Sequence, residues 1–85
     1  MLPKVTVYFG PDCAECRRVL EYLQRKRIPF VKFDITRDRE AREYLRRINT
    51  PRVPVVRVGE EHVIGFDETR LDELIRTSES TEVAV

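Results

Sequence analysis

An α/β fold with its elements in the order β-α-β-α-β-β-α is what this sequence predicts, and three observations carry the prediction. A Cys-x-x-Cys motif, Cys13 and Cys16, stands between an alternating apolar run and a charged amphipathic run, the layout of strand, tight turn and helix. That helix leads into a second alternating run, which completes a right-handed parallel βαβ unit. Further on, two short apolar runs around a turn at Gly59-Glu60-Glu61 read as an antiparallel hairpin, and a last amphipathic helix follows them.

The first strand is Lys4 to Phe9, where Val5, Val7 and Phe9 alternate with Thr6 and Tyr8. Its second face carries no charge, so both faces are expected to be covered, as in a central strand. Gly10 and Pro11 stop it, and Asp12 is a candidate cap for the helix beyond. Cys16 through Arg27 reads as that helix, with Cys16, Val19, Leu20 and Leu23 on one face; Ile28-Pro29 ends it. Phe30 to Ile35 is the second strand. Thr36 or Asp38 caps the next helix, Arg39 to Ile48, whose apolar stripe is Ala41, Tyr44, Leu45 and Ile48. Val55–Val58 and His62–Ile64 form the hairpin. Asp67 through Arg76 is the last helix, with Thr69 and Asp67 both possible caps. Residues 1–77 make one domain, and residues 78–85, dominated by Ser, Thr and Glu, read as a flexible C-terminal tail.

Composition narrows the class. At 85 residues, 41% hydrophobic and 36% charged, the chain has enough apolar content for one small core and a strongly solvated exterior. No apolar run approaches the ~18 residues of a membrane helix, and the N-terminus lacks the core of a secretory signal. A cytoplasmic monomer, away from the membrane, is expected. Residues 1–66 carry 14 basic and 9 acidic groups, whereas residues 67–85 carry 2 and 6. The arginines are interleaved with Glu and Asp without a stacking-aromatic pattern, which argues for a solvated face and against nucleic acid.

The two cysteines carry the chemistry. A sulfur at the first turn of a helix meets backbone N–H groups that lack intrahelical partners, at the end where the dipole favours negative charge. Cys13 should therefore ionise below the free value of about 8.5, and Cys16 lies where it can resolve a mixed disulfide. Arg17 and Arg18 favour the thiolate, Glu15 opposes it, and the effect of Asp12 can go either way. A structural disulfide fits poorly, because so short a loop constrains the unfolded chain little. A metal site needs about four ligands, and beyond two cysteines the chain offers only His62 and carboxylates. A redox dithiol is the favoured reading; a metal or iron–sulfur binding module and a substrate-specific adaptor are the alternatives. With no histidine between the cysteines, a reducing potential of about −200 to −270 mV is expected.

Pro54 is the second position of interest. Before a strand it can be an edge or turn residue. Alternatively Val53–Pro54 is cis, presenting the Val53 backbone to an extended substrate chain whose sulfur faces Cys13. Tyr8 either lines the active surface or packs in the sheet. His62 reads as an ordinary strand residue, and Arg52 as either a partner-binding group or loop solvation.

Taken together, Val7-Tyr8-Phe9-Gly10-Pro11-Asp12-Cys13-Ala14-Glu15-Cys16, Val53-Pro54-Val55-Val56 and Gly65-Phe66-Asp67 resemble a glutaredoxin or thioredoxin-fold redoxin over about residues 4 to 76. The resemblance implies the glutaredoxin-like thioredoxin fold, a four-stranded mixed sheet flanked by three helices. It also implies a cis Pro54 beside the site, Cys13 as nucleophile and Cys16 as resolving thiol. Pro11, Asp12, Glu15 and Arg17 would tune the dithiol, while Arg52, Val53, Pro54, Phe66 and Asp67 would meet the substrate. Glutathione-using glutaredoxins usually have Cys-Pro-Tyr-Cys, a preceding lysine, Thr-Val-Pro and a Gly-Gly helix entry. Here Gly10, Arg52 and Gly65-Phe66 stand at those last three positions, and Phe66 would crowd the glutathione pocket. The pattern is more similar to small redoxins that serve ribonucleotide reductase and take electrons from thioredoxin reductase. No cofactor of its own is implied: electrons would come from NADPH through a reductase, and glutathione would bind poorly.

Overall fold

The strand that follows the N-terminus is central because both its faces are buried. β1 (Val5–Phe9) pairs in parallel with β2 (Val31–Asp34) and antiparallel with β3 (Val55–Val58), and β3 pairs antiparallel with β4 (Glu61–Ile64). The sheet order in this computed structural model is β2-β1-β3-β4, and the structure describes residues 4–83, with side chains for residues 4–77. Three helices, α1 (Ala14–Arg25), α2 (Arg39–Arg47) and α3 (Glu68–Val83), complete the predicted order.

Strand alternation divides the interior into two cores. Val5, Val7, Val56 and Val58 point to the face covered by α1 and α3, where they meet Val19, Tyr22, Leu23, Leu71, Leu74 and Ile75. Tyr8 and Val55 point to the opposite face, against Ala41, Tyr44 and Leu45 of α2. Tyr8 stacks on Tyr44 with ring centroids 4.9 Å apart, so it is a packed sheet tyrosine. His62 is a half-buried strand residue opposite Arg57.

The helix ends differ from expectation in instructive ways. α1 begins two residues earlier than predicted, and its N-cap is Cys13, not Asp12. Asp12 instead takes a left-handed conformation, φ +51°, which aspartate tolerates better than most residues, and so shapes the turn. α1 also stops earlier, at Arg25. Arg27 adopts φ +57°, Ile28 N–H reaches Leu23 O at 2.9 Å, and Arg27 N–H reaches Gln24 O at 3.1 Å. This is a Schellman closure without glycine. α2 closes the same way, with Asn49 at φ +60° and Thr50 N–H on Leu45 O. Of the two candidate caps for α2, Asp38 takes the role, accepting from Ala41 N–H at 2.9 Å; Thr36 donates to Asp34 instead. β2 is shorter than expected, since it extends only as far as its pairing with β1, and Phe30 packs against the first core. α3 continues past the expected end at Arg76 to Val83, and the side chains of the tail 78–85 lie outside the described residues.

Candidate active site

The turn between β1 and α1 places Cys13 and Cys16 together. They form a disulfide with their Cα atoms 5.2 Å apart, Cys13 half-buried and Cys16 buried. Cys16 N–H donates to Cys13 Sγ at 3.0 Å, so this sulfur occupies the position of a capping oxygen. In the disulfide this is a contact to a neutral sulfur. In the reduced protein the same N–H is placed to donate to Cys13 Sγ, and because a hydrogen bond to an ionised acceptor is the stronger kind, this geometry favours the thiolate form. Burial leaves Cys16 reachable mainly through Cys13.

The loop before β3 forms the second wall. The Val53–Pro54 peptide is cis, as the second reading of Pro54 anticipates. Val53 O lies 3.9 Å from Cys13 Sγ, which puts this backbone group against the disulfide. Pro54 is buried, and its carbonyl accepts from Gly65 N–H at 2.8 Å, which ties this loop to the end of β4. A β-carbon at Gly10 would lie 3.4 Å from Val53 Cγ2, an ordinary contact distance, so the turn after β1 and the loop before β3 run side by side here.

The third wall is the entry to α3. Phe66 is half-buried, its ring edge-on to Tyr22 at 6.0 Å and packed on the first core. What it presents toward the dithiol loop is its backbone N–H, which donates to Glu15 Oε2 at 3.1 Å. Asp67 is exposed, and its Oδ1 accepts from Arg70 N–H at 3.0 Å, which settles the cap between the two candidates. Pro11, Asp12, Arg17 and Arg52 are all exposed; Arg52 is anchored through its backbone N–H, which donates to Thr50 Oγ1 at 3.1 Å.

Two features escaped the sequence reading. The Glu15–Phe66 bond spans 51 positions, and no local pattern announces it. Ile64, 43% exposed at the end of β4 next to Gly65, adds an apolar surface that strand alternation could have flagged. Among the described residues, no three His, Cys, Asp or Glu side chains gather into a metal-ligating set. No helix among them is long and apolar enough to cross a membrane.

Comparison with known proteins follows the same lines. The glutaredoxin family profile matches residues 5–63. A glutaredoxin-like 8.6 kDa protein in the rubredoxin operon of Clostridium pasteurianum is 32% identical over 72 residues, covering 84% of this chain and 96% of that protein. The crystal structure of the thioredoxin-like protein BC3987 superposes with a TM-score of 0.77 at 33% identity, over 84% of this chain and 99% of the other. The glutaredoxin-like NrdH-redoxin of Escherichia coli, described as having a thioredoxin-like activity profile, gives a TM-score of 0.77 at 27% identity, over 84% and 93%.

Proposed function

We propose, given that this chain belongs to the glutaredoxin family and has its thioredoxin fold, that it reduces protein disulfides through Cys13 and Cys16 and is recharged by thioredoxin reductase, not glutathione. Thiol–disulfide redox chemistry is the family's activity. The specific reaction rests on one observation: Cys13 caps α1, takes the Cys16 N–H at 3.0 Å, and is joined to Cys16 as a closed disulfide.

The steps follow from this geometry. Cys13 thiolate attacks one sulfur of a substrate disulfide and expels the other as a thiolate, forming a mixed disulfide. Cys16, deprotonated, then attacks Cys13 Sγ and displaces the substrate's second sulfur. Two electrons pass from the protein dithiol to the substrate, whose two sulfurs take up protons. The protein is left in the disulfide state, and NADPH supplies the next electron pair through a reductase, with no cofactor held by this chain. Val53 backbone groups pair with the extended substrate chain, with Pro54 beneath it. Arg52, Phe66 and Asp67 border the path, and Pro11, Asp12, Glu15 and Arg17 set the local charge.

The choice of electron donor is supported by Gly10, Arg52 and Gly65-Phe66 standing where glutathione-using members carry lysine, threonine and paired glycines. The thioredoxin-like profile of the Escherichia coli neighbour points the same way. The resemblance of this chain's motifs to the small redoxins that serve ribonucleotide reductase makes that enzyme a candidate substrate, in the cytoplasm. Reduction by NADPH with thioredoxin reductase should outpace reduction by glutathione with glutathione reductase, using insulin as acceptor. Fast glutathione-driven turnover would overturn the donor assignment, and no turnover with either would overturn the reductase itself.

A further inference from the structure

We propose that Glu15 is a specificity-determining residue: its carboxylate occupies the backbone donor beside the dithiol and so selects against anionic thiols and disulfides. The inference rests on the thiol–disulfide exchange proposed above.

Glu15 stands on the first turn of α1, between the two cysteines, and is half-buried. Its side chain spans the cleft to the β4–α3 junction, where Oε2 accepts the Phe66 N–H at 3.1 Å. Gly65 frames that contact. Its φ of +82° is a left-handed conformation suited to glycine, and a β-carbon there would lie 3.6 Å from the same Glu15 oxygen. Gly65 N–H is already committed to Pro54 O at 2.8 Å. Pro54 follows Val53, whose carbonyl is the one 3.9 Å from Cys13 Sγ. The Phe66 donor therefore belongs to the rim of the reactive disulfide, and it already holds a carboxylate.

At the Phe66 N–H an incoming anion finds the donor already taken. On the first turn of α3, Arg70 N–H is likewise filled, by Asp67 Oδ1 at 3.0 Å. Glu15, Asp67 and Glu68 bring three carboxylates to this side; among the described residues only Glu68 of these has a basic partner, Arg25, at 3.8 Å. A thiol carrying its own carboxylates must displace Glu15 and approach like charge, both unfavourable. A neutral or cationic flank on a substrate cysteine meets no such obstacle. The internal carboxylate thus stands where an anionic ligand would otherwise bind, and protein segments low in acidic residues are the substrates it favours.

The test measures second-order reduction of the Cys13–Cys16 disulfide by three thiols of different charge: anionic glutathione, neutral 2-mercaptoethanol and cationic cysteamine. In Glu15→Gln the glutathione rate constant should rise about threefold to tenfold at low salt. Taken relative to 2-mercaptoethanol, which carries any change that Glu15 makes in the dithiol's own reactivity, the glutathione value should rise by that factor and the cysteamine value should fall. Glu15→Ala, which vacates the Phe66 N–H, should raise the glutathione rate at least as much. Equal changes for all three thiols, or an unchanged glutathione rate in both variants, would overturn the proposal while leaving the exchange reaction standing. Failure of 2-mercaptoethanol to reduce the wild-type disulfide would remove the exchange reaction itself, and this proposal with it.

Discussion

Tyr22 joins the helix that carries the dithiol to the helix that closes the site, and removing its hydroxyl tests that clamp. The ring is 1% exposed in the first core, and its OH donates a hydrogen bond to Asp72 of α3. Lys26 Nζ stands 3.8 Å from the same carboxylate. A hydrogen bond to a charged acceptor contributes about 1.5–3 kcal/mol. Asp72 is 38% exposed and can rehydrate, which discounts the value toward about 1.5 kcal/mol in Tyr22→Phe. For a domain of this size that lowers Tm by roughly 6–12 °C. The pH dependence adds a second reading. Burial, then the bond to Asp72, holds the Tyr22 phenol well above its ordinary 10.0. The folded state therefore keeps a proton that the unfolded state releases. This contribution is complete below about pH 10 and is lost as pH rises from there toward the folded-state value. Urea denaturation of both proteins should show wild type more stable at pH 7 and the gap closing above about pH 10. A variant as stable as wild type at pH 7, or a gap that persists through alkaline pH, would refute the reasoning.

Arg27→Gly should raise stability by about 0.5–1 kcal/mol, because the left-handed Schellman position no longer holds a β-carbon; chemical denaturation measures it, and a loss would contradict the capping account. Leu23→Ala should cost about 2–5 kcal/mol, since the side chain is fully buried among β1, β3, α1 and α3; a loss below about 1 kcal/mol would mean the first core is not packed there. In the reduced protein at neutral pH, iodoacetamide should label Cys13 before Cys16, read by peptide mass spectrometry, because Cys13 is half-exposed and faces the helix donors while Cys16 is buried. Labelling of Cys16 first would reverse the assigned roles.

Much of this architecture is written in short-range pattern. The alternation of Val5, Thr6, Val7 and Tyr8 specifies a strand buried on both faces, and β1 lies second in the sheet with all four residues buried. The 3–4 spacing of Val19, Leu20 and Leu23 gives the inner face of α1, and the run at Val55–Val58 gives β3 to the residue. Helix ends were harder to read, because Arg27 and Asn49 adopt left-handed closures that glycine usually marks. A cysteine serving as N-cap had a similar effect: Asp12 is the better cap by side-chain chemistry, yet the turn after Gly10-Pro11 gives the position to Cys13. The dithiol itself was legible because reactivity and spacing coincide in one motif. Contacts that join distant segments were not, and the Glu15–Phe66 and Tyr22–Asp72 bonds both depend on how α1 and α3 come together.

The division of labour between the two sulfurs is tested most directly by trapping. Cys16→Ser, reduced and mixed with a disulfide-bonded peptide, should accumulate a one-to-one adduct through Cys13 that intact-mass and tandem spectrometry locate, while Cys13→Ser accumulates none. A Cys16→Ser protein that releases reduced peptide at the wild-type rate, or an adduct forming on Cys16 when Cys13 is absent, would contradict the account.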